Sequence, residues 1–87
     1  MLIRRLIWDE WNIDHIVRHG VEPEEVERVC KGKHLARRGR EGTYTVTGQT
    51  QAGRYLTIIL APRGVGSFYP ITARDSDDKE RRLFKKK

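Results

Sequence analysis

Residues 43–74 read TYTVTGQTQAGRYLTIILAPRGVGSFYPITAR, and how this stretch folds decides the architecture of the whole chain. Three runs rich in threonine, tyrosine and β-branched residues, TYTVTGQT, RYLTIILA and SFYPITAR, are separated by the glycine-bearing turns QAGR and PRGVG. Short links between β-rich runs predict a meander of antiparallel strands, with RYLTIILA at the centre of the sheet. Pro70 has no N–H to give to a ladder, so the last strand is expected at an edge or with an irregularity near that residue. The GVG of PRGVGSF leads into a strand and not a helix, which makes it a turn and excludes a phosphate-binding loop. With Tyr69, Ile71 and Ala73 facing the core, period-two alternation sends Phe68, Thr72 and Arg74 to the opposite face.

Towards the N-terminus, LIRRLIWDE predicts a short first strand closed by Asp9 as a helix cap. A first helix follows near residues 10–19, with Ile13, Ile16 and Val17 as its apolar stripe and Gly20 at its left-handed exit. In VEPEEVERVCKG, Pro23 suits the first helical position, Glu24 and Glu25 complement the positive helix end, and Val21 can staple onto Val26. That second helix is expected to end at Gly32. KHLARRGREG has no clear period and is expected to form a short edge strand and a loop.

Towards the C-terminus, a last helix is expected, capped by Asp75 or Ser76, with Asp77 to Arg81 and Asp78 to Arg82 as acid-before-base pairs four residues apart. The terminal lysines read as a frayed helix end or tail. The order strand, helix, helix, three or four strands, helix describes one α+β domain over residues 1–87, without repeats or linkers.

Eighty-seven residues suffice for one modest core, and the apolar residues, 37% of the chain, are grouped into periodic stretches as in a folded protein. No apolar run approaches the roughly 20 residues that cross a bilayer, and arginines interrupt MLIRRLIWDEW where a signal peptide needs a continuous apolar stretch. A cytoplasmic protein is the expectation. The single cysteine, Cys30, lies at helical spacing with Val26 and Val29 and reads as a buried thiol. Charge is uneven: residues 1–30 carry 4 basic and 7 acidic side chains (−3), residues 31–87 carry 14 and 5 (+9). Such asymmetry suits a polyanion, and also serves plain solubility.

Chemistry concentrates near the C-terminus. Arg74 emerges at the end of the last strand, and Glu80 lies three and four residues before Leu83 and Phe84, on the stripe that docks the final helix. A carboxylate there needs a partner. Arg74 and Glu80 therefore form either a structural tie between strand and helix, or, with Arg81, a site for metal-free RNA cleavage. In that second case the arginines meet the phosphate and Glu80 moves a proton or orients Arg74. The basic stretches ARRGRE, with Arg38 and Arg40, and KERRLFKKK, with Arg82, are phosphate-contact material or solvated charge. His15 and His19 stand at the i,i+4 spacing of a zinc pair, but Ile16 occupies the place of a zincin glutamate and no third ligand is spaced to join them. A helix-end hydrogen bond is the stronger expectation for His19, a structural role over catalysis for both, and no metal or cofactor is expected. Trp8 and Trp11 are expected to serve core or rim packing before base stacking.

IWDEWNIDHIVRHGVEPEEVERV, together with ITARDSDDKERRLF, resembles the beginning and end of BrnT-type toxins of bacterial type II toxin–antitoxin systems. The resemblance covers nearly the whole chain. It implies a RelE-like fold, inhibition of translation through RNA cleavage, and neutralisation by a small DNA-binding antitoxin, typically of the ribbon-helix-helix kind, that covers the active face. It places the family's functional arginine, glutamate and arginine on Arg74, Glu80 and Arg81, and the basic loop before the second strand on ARRGRE, with Arg40 as RNA contact. The family's closing aromatic, commonly tyrosine, falls on Phe84, which can stack but cannot donate a proton. A non-catalytic module of the same fold that binds RNA or a protein is the alternative expectation.

Overall fold

The computed structural model describes residues 1–86. Its elements are β1 (Arg5–Leu6), α1 (Glu10–Arg18), α2 (Pro23–Lys31), β2 (His34–Arg38), β3 (Tyr44–Gln49), β4 (Tyr55–Pro62), β5 (Ser67–Asp75) and α3 (Asp78–Lys85), with a 3-10 turn at Arg40–Gly42 between β2 and β3. The α+β class and the meander expected from residues 43–74 are both present. Five strands form one sheet in the order β1-β5-β4-β3-β2, antiparallel throughout except for β1, which pairs parallel with β5. β4 is the central strand and β2 an edge, as their sequences suggested.

Each hairpin closes on one backbone bond: Gly39 N–H to Thr43 O, Thr50 N–H to Arg54 O and Arg63 N–H to Ser67 O, all 2.8 Å. Directly opposed residues in an antiparallel ladder alternate between bonded and non-bonded pairs, so these closing bonds set which residues of each strand bond to which neighbour. They also explain Pro70. It stands opposite Leu60 in a non-bonded pair, so its polar groups point away from β4, beyond the two residues of β1, and its missing N–H costs no ladder bond. Its carbonyl accepts instead from Asn12 Nδ2 at 3.1 Å. Asn12 is wholly buried, and it also donates to Ile7 O and accepts from the Asp9 N–H, which ties α1 to both β1 and β5.

The irregularity expected near Pro70 occurs one residue later. Ile59 pairs with Thr72 and Leu60 with Pro70, so Ile71 is the extra residue of a bulge. The bulge reverses the alternation before it. Ala73 faces the core and Thr72 and Arg74 the other side, as the sequence predicted, but Phe68 enters the core, 7% exposed, while Tyr69 alternates outward beside Ala61 and its hydroxyl donates to the Asp9 carboxylate at 3.0 Å. Alternation holds only while no residue is inserted.

The core lies between one sheet face and helices α1 and α2. Val46, Leu56, Ile58, Leu60 and Ala73 from the sheet meet Ile16, Val21, Val26 and Val29, all 0–1% exposed. At roughly 1.5–3 kcal/mol per buried aliphatic side chain, this layer supplies most of the stability. α2 approaches β3 closely at Gly48, where a Cβ would stand 2.8 Å from Val29 Cγ1. Cys30 is buried there, 2% exposed, and burial followed by the nearby Glu27 charge pushes its thiol up to about 12, so it is an inert packing group.

Helix ends follow the expected chemistry with one correction. Asp9 caps α1, Gly20 takes the left-handed exit at φ +78°, and the Glu25 side chain accepts from the Glu22 N–H before Pro23. α3, however, is capped by Asp77, which exchanges hydrogen bonds with Glu80: Glu80 N–H to Asp77 Oδ1 at 2.8 Å and Asp77 N–H to Glu80 Oε1 at 2.9 Å. Asp75 is drawn off by Arg54 and Ser76 by Thr57, which leaves Asp77 as the residue free to cap. The Asp77–Arg81 and Asp78–Arg82 pairs are not among the ion pairs of the described residues; Asp77 is engaged as a cap and Arg81 lies over the Tyr55 ring. Of the terminal lysines, Lys85 ends α3 and Lys86 is its C-cap, while Lys87 lies outside the described residues.

Arg54, which the sequence did not single out, joins three elements. Its guanidinium donates to Asp75 at 2.7 Å, to the Gly20 carbonyl at 2.7 Å and to Glu25 at 3.2 Å, holding the α1–α2 turn against the ends of β4 and β5. No described helix is long and apolar enough to cross a membrane.

Candidate functional site

The second face of the sheet is built differently. Cross-strand register aligns Leu35, Thr47, Thr57 and Arg74 in one row and Arg37, Thr45, Ile59 and Thr72 in the next, all on the side away from α1 and α2. α3 packs over one end of this face. The second row stays half-exposed or exposed, with an arginine on β2 at one margin and Arg74 on β5 at the other. Three strand spacings separate those margins, about 14 Å at about 4.8 Å each.

Arg74 and Glu80 meet as the sequence required. Nη1 donates to Oε1 and Nη2 to Oε2, both at 2.8 Å, a bidentate fork. The two partners differ in exposure: the Glu80 side chain is 10% exposed and Arg74 49%. The carboxylate is thus enclosed, while the Arg74 side chain is half-exposed, with Nη1 also donating to the Asp75 carbonyl at 3.3 Å. Hydrogen bonding from Arg74, against the opposing effect of burial and with help from the Asp77 N–H and the Thr57 hydroxyl, holds the Glu80 carboxyl at about 2, well below its ordinary 4.5. Glu80 is therefore a fixed anion near neutrality, a poor proton acceptor, and a firm holder of Arg74. The same bond raises the Arg74 guanidinium further above its ordinary value.

Hydroxyls continue inward from this pair. Thr57 Oγ1 lies 2.8 Å from Ser76 Oγ and 3.2 Å from Thr47 Oγ1, and Thr47 and Thr57 are both buried. These bonds satisfy the threonines that alternation places on a face where an aliphatic core would otherwise be expected.

Arg81 is not joined to Arg74 and Glu80. Its guanidinium sits 4.7 Å from the centroid of the Tyr55 ring, and Lys85 Nζ lies 5.5 Å from the same ring. Phe84 meets Tyr55 edge-on at 6.1 Å between centroids and is 9% exposed. Its ring docks α3 and is not presented to a base. Arg82 is exposed on α3. Arg38 alternates to the helix-covered side, opposite Tyr44, and Arg40 stands exposed in the 3-10 turn, its carbonyl accepting from the Thr43 N–H at 3.0 Å and hydroxyl at 2.6 Å. Glu41 follows at φ +53°, an uncommon conformation for a residue with a side chain.

Two residues escaped the sequence reading. Arg37 reaches the open face where Arg38 does not, a difference that alternation along β2 encodes once the register is known. Tyr55 brings a phenol next to the two cations of α3, on the strand opposite Phe84, and only the docking of α3 on β4 brings it there.

The histidines and tryptophans lie on the other side of the molecule. Trp11, 58% exposed, stacks flat on His15 at 4.9 Å and 6°, and His15 meets His19 at 4.8 Å. Trp11 therefore stays out of the core, whereas Trp8 packs against it and donates Nε1–H to Glu27 at 2.8 Å. His19 caps α1 through its backbone N–H, and His34 Nδ1 lies 2.9 Å from the Gly32 carbonyl oxygen. Among the described residues no three His, Cys, Asp or Glu side chains are grouped to hold a metal ion. No protein-family model matches the chain, and no curated protein matches it.

Proposed function

We propose that this protein is the toxin of a bacterial type II toxin–antitoxin pair, acting in the cytoplasm on a RelE-like version of its α+β fold. On this reading it inhibits translation by cutting RNA without a metal ion, and a small DNA-binding antitoxin of the ribbon-helix-helix kind keeps it in check. The observation that carries the reading is the Arg74–Glu80 fork at the margin of an open sheet face lined by threonines, with the Arg74 side chain half-exposed and so within reach of a phosphate. An arginine fixed in this way stabilises charge developing on a phosphorane without having to reorganise during the reaction. Glu80 is its positioning residue, and Arg37, Arg81 and Lys85 extend the cationic surface along which a single strand of RNA would lie. Induced expression in a bacterium should arrest growth and deplete messenger RNA, and Arg74→Ala at equal soluble level should relieve the arrest. Healthy growth at high soluble expression of the parent, with no antitoxin present, would remove the toxin assignment.

The second reading, a non-catalytic RNA-binding module, is favoured by one specific feature: the carboxyl nearest Arg74 is held at about 2, and both of its oxygens are engaged. RNA retarded in a gel by the purified protein, and recovered uncut from that complex, would select this reading over cleavage.

A further inference from the structure

β2 is an edge strand whose outer side is unpartnered among the described residues, and its hydrogen-bonding pattern is known. The Gly39 N–H to Thr43 O bond continues the register in which Arg38 faces Tyr44, so Arg37–Thr45 and Leu35–Thr47 are bonded pairs. The N–H and C=O groups of His34, Ala36 and Arg38 therefore point away from the sheet. Beside them lies a cavity of about 320 Å³ lined by Met1, His34, Ala36, Arg38 and Tyr44 among others. Arg37 and Arg38 stand exposed on opposite faces of the same strand.

We infer that β2 accepts an extended acidic peptide segment of a partner protein as a sixth strand of the sheet. Three features select this occupant. The free edge alternates donors with acceptors, which a peptide backbone complements and a phosphate backbone, which only accepts, does not. An added strand of alternating acidic and apolar residues places its acidic side chains against Arg37 on the open face and its apolar side chains, on the opposite face, into the cavity next to Ala36 and Tyr44. A second copy of this chain would bring its own β2 arginines and its net charge of +6 to the same edge, so charge disfavours self-pairing. The inference is independent of RNA cleavage, since the outward groups of β2 lie at the edge opposite Arg74.

The probe is a capped heptapeptide of alternating Glu and Val, added to the full chain while amide exchange is followed residue by residue. At saturation the Ala36 and Arg38 amides should slow by about tenfold or more, with Leu35 and Arg37, already bonded to β3, unchanged. The corresponding Lys–Val peptide should leave all four unchanged. Arg38→Pro removes an outward N–H without touching the β2–β3 ladder, so it should keep the fold and lose peptide binding, whereas Arg38→Gln, which keeps that N–H, should retain it. Failure of the Glu–Val peptide to bind at millimolar concentration overturns the inference, as does binding that leaves Ala36 and Arg38 unprotected. Equal binding by Arg38→Pro would do the same, and protection of these amides by oligouridine instead of the peptide would reassign the edge to RNA.

Discussion

The two faces of this sheet use the same five strands to opposite ends. The face under α1 and α2 is dry and aliphatic, and the layer covering it is acidic: between Asp9 and Lys31 stand seven acidic and three basic side chains. The other face carries threonines, one half-exposed isoleucine and arginines at its margins, with α3 covering only part of it. The first face holds most of the core, and the second is left partly open. Where the two meet, single residues are held by many bonds, as Arg54 and Asn12 show.

The sharpest test of this division compares neighbours on β4. Ile58→Ala should cost about 3 kcal/mol in chemical denaturation, because Ile58 is wholly enclosed, whereas Ile59→Ala, one residue on and facing the open side, should cost roughly 1 kcal/mol or less. Similar losses at both positions would mean that the open face is a second core.

Glu80→Gln comes next. Losing the fixed anion should cost on the order of 2 kcal/mol at neutral pH, a figure that already allows for solvent around the half-exposed Arg74. The Glu80 carboxyl is at about 2 in the folded chain against an ordinary 4.5, so its contribution is complete above the ordinary value. It is lost as pH falls from there towards about 2, because the unfolded state takes up the proton first. Denaturation midpoints followed from pH 6 to 2 should thus fall less steeply in Glu80→Gln than in the parent; parallel curves would remove the Arg74 fork as the cause. If Glu80 positions Arg74 for the reaction, RNA-directed activity of the variant should fall by more than its folded fraction, whereas activity that merely tracks the folded fraction would leave the pair a structural tie between strand and helix.

The smallest expected effect separates the faces electrostatically. Arg37→Ala should lower the salt dependence of RNA binding by about 0.7 in log–log slope, one phosphate contact on a single strand, while Arg28→Ala in the acidic layer should leave the slope alone. Equal effects would show that RNA responds to overall charge and not to the open face.

Local chemistry made much of this legible beforehand. Three β runs with glycine turns, a capping aspartate before α1, proline at the start of α2 and a carboxylate on the docking stripe of α3 each specify structure within a few residues of themselves. The errors arose where distant groups compete. Asp75 and Ser76 were as good caps as Asp77 until Arg54 and Thr57 engaged them from β4. Tyr69 and Phe68 exchanged faces because one inserted residue, Ile71, changes the phase of every position before it.

Taken alone, the sequence determined the element order, the meander, the need for a partner to Glu80 and the charge asymmetry, all of which depend on spacing along the chain. Only the tertiary structure decided that Arg37 and not Arg38 shares a face with Arg74, that Arg81 and Lys85 gather on Tyr55, that Phe84 is spent on packing, and that β1 pairs parallel with β5. Those outcomes depend on strand register and helix docking, which are set by the summed burial of residues far apart in sequence and are invisible to any local pattern.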